Sequence, residues 1–180
     1  MAYARKQYGT TKIKGKARVD GPVEIVVDSV TPFTVENSSG TDLLTIETTG
    51  DIKGVGGFKQ PVFFMQDNVT ASQSAVALVV AGQPSCTEIA LPWAGSIIGI
   101  SVRANAARSA GHLTVDATIG GTATGLQATL NAANTQTHSA TQAKDTDAFS
   151  ANGLVGVKIT SGSTWAPTTA DVVVGVWVEA

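Results

Sequence analysis

The side chains that could perform catalysis are few and are not grouped as an active site requires. His112 and His138 are the two histidines, and His112 precedes Asp116 by four residues, which would place both on one face of a strand. Ser109 is near in sequence, but the glycine-flanked turn that exposes a nucleophilic serine does not surround it. The pattern favours a loop histidine, and we expect no catalytic residues and no enzymatic activity.

Metal and cofactor sites are equally poorly indicated. Asp145 and Asp147 could supply carboxylate oxygens, with Asp116 or Asn152 as further ligands. Calcium requires about six to eight oxygen ligands, and the sequence of a calcium-binding loop is absent. The glycine-rich segments at 54–57 and 120–125 lack the residues of a phosphate-binding loop. We therefore expect an acidic loop and glycine turns, with no metal and no cofactor.

The three tryptophans leave two interpretations open. Trp93 and Trp165 lie in loops beside prolines, and Trp177 alternates with Val174 and Val176 on a strand. Aromatic side chains in such places can stack on a glycan, or they can close the ends of a domain or fill a subunit interface. The alternation also predicts that Ile97, Val173 and Trp177 point outward, which would suit a subunit interface.

Hydrophobic periodicity predicts the fold class. Residues 91–105 alternate as a strand does, with Ile98, Ile100, Val102 and Ala104 on the predicted inner face. About eight such segments follow one another within residues 58–180, and no helical period occurs. We predict an all-β protein with an antiparallel β-sandwich, most simply a jelly roll, although an immunoglobulin-like strand order stays open.

The charges are divided unequally along the chain. The net charge is −2, yet residues 1–19 carry six bases and no acid. We interpret residues 1–19 as an extended basic arm that docks on an acidic protein surface, because the rest of the chain contains no nucleic-acid-binding module; a solvated terminus is the alternative. The residues assigned to this arm contact are Arg5, Lys6, Tyr8, Lys12, Lys14, Lys16 and Arg18.

The cysteine count and the hydropathy of the chain exclude further classes of protein. Cys86 is the one cysteine, which excludes an internal disulfide. No apolar run of about 18 residues occurs, so we expect no membrane partner. The N-terminus lacks the apolar stretch of a secretory signal, and we expect a chain that is cytosolic when made or released by lysis.

Residues 20–57 contain short strands separated by the turns Asn37–Gly40 and Thr48–Asp51. Fewer than forty residues cannot build an independent core, so this segment needs other copies of itself or the larger domain. Its string PFTVENSSGTDLLTIETTGDIKGVGG resembles a module of phage tail fibres, spikes and head decorations that forms an intertwined trimeric stem. The resemblance implies a homotrimer whose stem residues include Phe33, Val35, Leu44, Ile46 and Ile52.

The remaining chain carries a second resemblance. Pro92-Trp93, residues 95–102, residues 110–115 and residues 171–178 are similar to the jelly-roll domain of phage fibres and capsid-decorating proteins. The resemblance implies a virion surface protein, usually trimeric. Because the six clustered bases suit a decoration better than a distal fibre, we predict a protein on the outer capsid surface that decorates and stabilises the shell by binding the major capsid protein lattice as a trimer. The alternative is a tail-fibre or receptor-binding protein that contacts host glycans through Trp93, Trp165 or Trp177.

Overall fold

The computed structural model of the chain describes residues 33–36, 42–46, 52–54 and 59–179. All regular secondary structure in these ranges is β-structure, as predicted. The basic arm, residues 1–19, lies outside the described residues. The chain divides into two compact units between Lys53 and Gly54.

A three-stranded sheet occupies the first part of the described chain. Its strands, in spatial order, are β1 (Phe33–Glu36), β2 (Asp42–Ile46) and β3 (Ile52–Gly54). Strands β1 and β2 are antiparallel, and their register sets Phe33 opposite Ile46 and Val35 opposite Leu44. Four of the residues that the sequence assigns to the stem are therefore paired across this hairpin, and the fifth, Ile52, lies on β3.

The second part forms a sandwich of two antiparallel sheets. Its strands are β4 (Lys59–Gln66), β5 (Val76–Ala77), β6 (Val79–Val80), β7 (Glu88–Ala90), β8 (Gly95–Ala104), β9 (Leu113–Ile119), β10 (Thr122–Leu130), β11 (Thr137–Thr141), β12 (Asp147–Phe149), β13 (Leu154–Ser161) and β14 (Val172–Glu179). Sheet I has the order β10-β9-β13-β5, with β7 also on β13. Sheet II has the order β11-β8-β14-β4-β6, with β12 also on β8.

Side-chain alternation builds the core between the sheets. Val172, Val174, Val176 and Val178 of β14 are all buried, and alternate residues of β9, β10 and β13 meet them from sheet I. Trp165 is 2% exposed, and its indole N–H donates to the Val69 carbonyl at 3.1 Å. The large ring can be buried because its one polar group is paired.

A β-bulge changes which isoleucine of β8 enters the core. Trp177 pairs with Gly99, whereas the next residue, Val178, pairs with Ile97, so β8 has one extra residue at this point. Ile97 is consequently 0% exposed, and Ile98 is only half-buried. The prediction that Ile97 points outward and Ile98 inward was wrong, because uninterrupted alternation does not allow for a bulge.

The segment 74–81 is not the single strand that its alternation indicates. Val76 pairs with β13 of sheet I, whereas Val79 and Val80 pair with β4 of sheet II. Between them Leu78 is buried, and its N–H donates to the Val157 carbonyl at 2.9 Å. The chain thus crosses from one sheet to the other within four residues.

His138 connects the two sheets at one edge. It lies on β11 of sheet II opposite Val102, whose side chain is buried. Its Nδ1 accepts a hydrogen bond of 2.9 Å from the backbone N–H of Thr129 on β10 of sheet I. This histidine is therefore a hydrogen-bond acceptor that joins the two sheet edges.

The bulge can be tested with a matched pair of substitutions. Ile97→Ala should lower the free energy of unfolding by about 2–5 kcal/mol, because it leaves a cavity in a dry core. Ile98→Ala should cost less than about 1 kcal/mol, because this side chain is half exposed. Urea denaturation measures both values, and a larger loss at residue 98 would contradict the observed register.

The link between sheet edges can be tested at His138. We expect His138→Ala to destabilise the protein by about 1 kcal/mol or more, because the Thr129 N–H loses its acceptor. His138→Asn places an amide oxygen at the position of Nδ1 and should retain most of that stability. Equal losses in thermal unfolding would show that the ring, rather than the hydrogen bond, matters.

Candidate interaction face

The outer face of sheet I is largely polar, and several of its side chains are paired with one another. Thr129, Thr114 and Thr160 are cross-strand neighbours, and the Thr114 and Thr129 hydroxyl oxygens are 3.0 Å apart. The next set of neighbours contains Asp116, which accepts a hydrogen bond from Gln127. Side chains that satisfy one another in this way leave little driving force for a partner.

The outer face of sheet II is different, because it carries large exposed apolar side chains on two adjacent strands. Phe63 of β4 is 48% exposed, and Val173 and Trp177 of β14 are 46% and 40% exposed. We call these three residues the apolar ridge. Apolar groups gathered on neighbouring strands indicate a binding surface more strongly than the same groups scattered singly.

Strand register positions the ridge beside a hollow. Across β4, β14, β8 and β11, Phe63 is in line with Gly175, Ser101 and Ser139, and Trp177 is in line with Gly99 and Thr141. The small residues Gly99, Ser101 and Gly175 form the floor. We call the hollow between the ridge and β11 the trough; its two parts have volumes of about 630 and 280 Å³.

Two glycines let the ridge rings approach the floor closely. A Cβ atom on Gly175 would lie 3.1 Å from the Ser101 hydroxyl oxygen and 3.3 Å from Cε1 of Phe63. A Cβ atom on Gly99 would lie 3.5 Å from Cδ1 of Trp177, in ordinary contact. The Phe63 and Trp177 rings therefore cover the glycine backbone, and any larger residue at either position would make the trough shallower.

The electrostatic character of the trough is positive. Arg103 is the charged residue among those that line the larger part, and Lys59 is the charged residue that lines the smaller part. No carboxylate belongs to either lining, although the sequence has more acids than bases. The nearby carboxylate of Glu179 is 5% exposed at the end of β14, where it forms an ion pair of 3.4 Å with Lys144.

The three tryptophans occupy different environments. Trp177 is exposed on the outer face, as predicted. Trp165 is buried in the core and cannot contact a glycan or a second subunit, so for this residue the interpretation of a ring closing the sandwich holds. Trp93 is 44% exposed in the loop before β8 and does not close the sandwich. The two loop tryptophans look alike in sequence because both lie beside prolines.

The candidate metal-binding residues Asp145 and Asp147 are hydrogen-bonded to protein groups. In residues 59–179, Asp145 donates its N–H to the Ser96 hydroxyl at 3.1 Å, and Asp147 accepts from the Gln142 amide at 2.6 Å. Across the described ranges, no three His, Cys, Asp or Glu side chains come together as metal ligands. No helix in these ranges is long and apolar enough to cross a membrane.

Sequence reasoning predicted the outward direction of Val173 and Trp177 but missed Phe63 and the trough. Phe63 lies in the run Pro61–Gln66, in which residues of both faces are apolar, so the pattern did not reveal its outward direction. The signal that was available was the alternation of Val173, Gly175 and Trp177 on β14. The arm residues lie outside the described structure, and the stem residues are known only by strand and register.

The contribution of the apolar ridge to surface hydrophobicity can be tested with a dye that binds exposed apolar surface. Replacing Phe63 and Trp177 by serine should remove most of the binding of an apolar fluorescent dye such as anilinonaphthalene sulfonate, because the contiguous apolar surface disappears. The control replaces the exposed Val76 and Leu154, which are apart on sheet I, by serine. Equal loss of dye fluorescence in both double variants would contradict a localised ridge.

Comparison with known proteins adds little to this geometry. No protein-family model and no curated protein matches the chain. Among solved structures, a chain described as "Cyanophage Pam1 capsid asymmetric unit" is similar, with a TM-score of 0.39 and 15% identity. The alignment covers 71% of this chain and 88% of that chain. A likeness this low assigns neither a fold family nor a function.

Proposed function

We propose that this protein is a structural phage virion protein that decorates the capsid and stabilises it by binding the assembled shell as a trimer. The observation that carries the proposal is the basic arm, because residues 1–19 carry six bases and no acid. The sandwich adds a one-sided surface, with a largely polar outer face on sheet I and the apolar ridge and trough on sheet II. Such a body suits binding rather than catalysis.

The chemistry of the exposed face supports a non-enzymatic role. The trough offers hydroxyl groups, aromatic edges and two separated cations, but no carboxylate that could act as a general acid or base. Glycoside hydrolysis needs two carboxylates about 5–10 Å apart, and neither lining contains one. A binding protein needs none of these groups.

The distribution of charge supports attachment through the N-terminal arm. Residues 1–19 carry six bases, residues 20–52 carry seven acids and no base, and the remaining chain is close to neutral. Such an arm is complementary to an acidic protein surface, and the outer surface of a capsid lattice is the partner we propose. A ligand that binds the assembled shell and not its free subunits stabilises the shell by mass action.

Trimerisation through the three-stranded sheet would strengthen this attachment. The hairpin of β1 and β2 has a register that aligns its apolar residues, but it has too few of them for an independent core. Association of three copies would complete that core. Three linked arms would then bind with an avidity well above that of one arm.

A second candidate function is favoured by the exposed face itself. The ridge and the trough combine aromatic and hydroxyl groups in the manner of a glycan-binding surface. In that case the protein would be a tail-fibre or receptor-binding protein. The two functions predict different partners, a capsid shell or a host cell envelope, and a cosedimentation experiment separates them.

Removing residues 1–19 should abolish cosedimentation with undecorated capsid shells, because the cationic contact is lost. A full-length variant with all six arm bases replaced by glutamine is the matched control for chain length, and it should fail in the same way. Wild-type binding should weaken as salt rises, because screening shortens the range of the arm charges.

Four results would contradict the proposal. Shell binding by the arm-deleted chain would exclude the arm as the contact. Cosedimentation of the wild type with host envelopes, but not with shells, would favour the receptor-binding alternative. A monomeric mass at micromolar concentration would exclude the trimer, and loss of the trimer in the glutamine variant would instead assign the arm to the acidic residues 20–52.

A further inference from the structure

We propose that the trough on sheet II is a binding site for a carboxylated polysaccharide. This inference rests on the geometry of residues 59–179 and does not depend on attachment to a capsid shell. It names a site in which Phe63 and Trp177 pack against sugar rings while Arg103 pairs with a sugar carboxylate.

The shape of the trough suits an extended chain. From Arg103 to Gly99 the floor follows β8 over four residues, or about 13 Å at the rise of a strand. Ser139 lines both the larger and the smaller part, so the two hollows adjoin along β11. The trough is an open groove on a sheet face, which a linear polymer can enter from the side.

The lining combines the two kinds of group that sugars require. The apolar faces of sugar rings pack on aromatic side chains, and the hydroxyl groups around them need hydrogen-bond partners. Phe63 and Trp177 supply the aromatic surface. The polar partners are the side chains of Ser101, Asn134, Thr137 and Ser139. The Ser101 hydroxyl lies 3.5 Å from the Gly175 carbonyl, at the limit of a hydrogen bond, so it can bond a ligand instead.

Charge complementarity selects an acidic sugar over a neutral one. Arg103 is exposed at the larger part of the trough, and Lys59 is exposed at the smaller part. Neither lining contains a carboxylate. Arginine presents a planar pair of N–H donors to a carboxylate and forms a charge-assisted hydrogen bond with it. A uronate residue beside Arg103 would meet this requirement.

The position of the trough argues against an extended peptide and against a second copy. A peptide that adds to a sheet lies in the plane of the sheet beside an edge strand, here β11, and would not cover the ridge on β4 and β14. Two copies packed with these faces together would bring Arg103 and Lys59 into a contact without any lining carboxylate. A ligand recognised through side chains, and carrying its own acids, avoids both difficulties.

Calorimetry with the full-length protein tests the proposal. The probes are polygalacturonate, alginate and hyaluronate, and the neutral control is methyl-esterified polygalacturonate. We expect at least one acidic polymer to bind, with an affinity that falls as salt rises. Esterification should weaken binding of polygalacturonate, if that is the polymer bound, by about tenfold or more, because a charge-assisted hydrogen bond is lost.

Variants localise the binding to the trough. Arg103→Gln should weaken binding by about tenfold or more, whereas Lys158→Gln, a matched loss of charge on sheet I, should leave it unchanged. Phe63→Ala should also weaken binding. In a Trp93→Phe background, exposed Trp177 reports ligand contact by fluorescence, because Trp165 is buried. Thermal unfolding verifies that each variant is folded.

Several outcomes would overturn the assignment. These are no binding of any acidic polymer, equal binding of the esterified form, and equal effects of the Arg103 and Lys158 substitutions. A change in the mass of the oligomer on Phe63→Ala, without glycan binding by the wild type, would assign the face to a contact between copies. None of these results bears on shell cosedimentation, so the proposed function can survive the failure of this inference.

Discussion

The period of two along β14 controls both sides of sheet II. Because successive side chains point to opposite faces, four valines enter the core, and Val173, Gly175 and Trp177 face outward. The strand has β8 and β4 as neighbours, so its outward residues lie in the middle of the sheet and not at an edge. The packing of the core and the composition of the exposed face therefore cannot vary independently.

The bulge in β8 interrupts this alternation near one end of the sandwich. One extra residue turns Ile97 into the core and leaves Ile98 beside the smaller part of the trough. Beyond it, buried Ser96 accepts the N–H of Asp145, and Glu179 pairs with Lys144. The loop after β11 is thus held against the end of β8 by a hydrogen bond and against the end of β14 by an ion pair.

The alternation of apolar and polar residues predicts those features of the fold that depend only on which face of a regular strand each residue occupies. The all-β class, the buried valines of β14 and the outward direction of Trp177 follow from it. Alternation fails where the pairing between strands decides which face a residue occupies. Adjacent isoleucines at 97 and 98 fit either register equally well, and only the pairing with β14 chooses between them. Leu78 satisfies the strand pattern and also a crossover between sheets. The direction of Phe63 cannot be predicted because both faces of β4 are apolar.

The two outer faces of the sandwich differ in composition, so that only the face on sheet II is suited to binding. Sheet I satisfies its threonine hydroxyls and the Asp116 carboxylate internally, which lowers its tendency to stick to other molecules. Sheet II leaves the rings of Phe63 and Trp177 and the Arg103 side chain available on β4, β14 and β8, which are interior strands and cannot recruit a strand from another protein. If three copies assemble as proposed, each contributes one such face, and a polymeric ligand can occupy more than one of them. Weak binding of the polymer at a single shallow trough is then sufficient for tight binding by the whole trimer, because linked sites together bind much more tightly than one site alone.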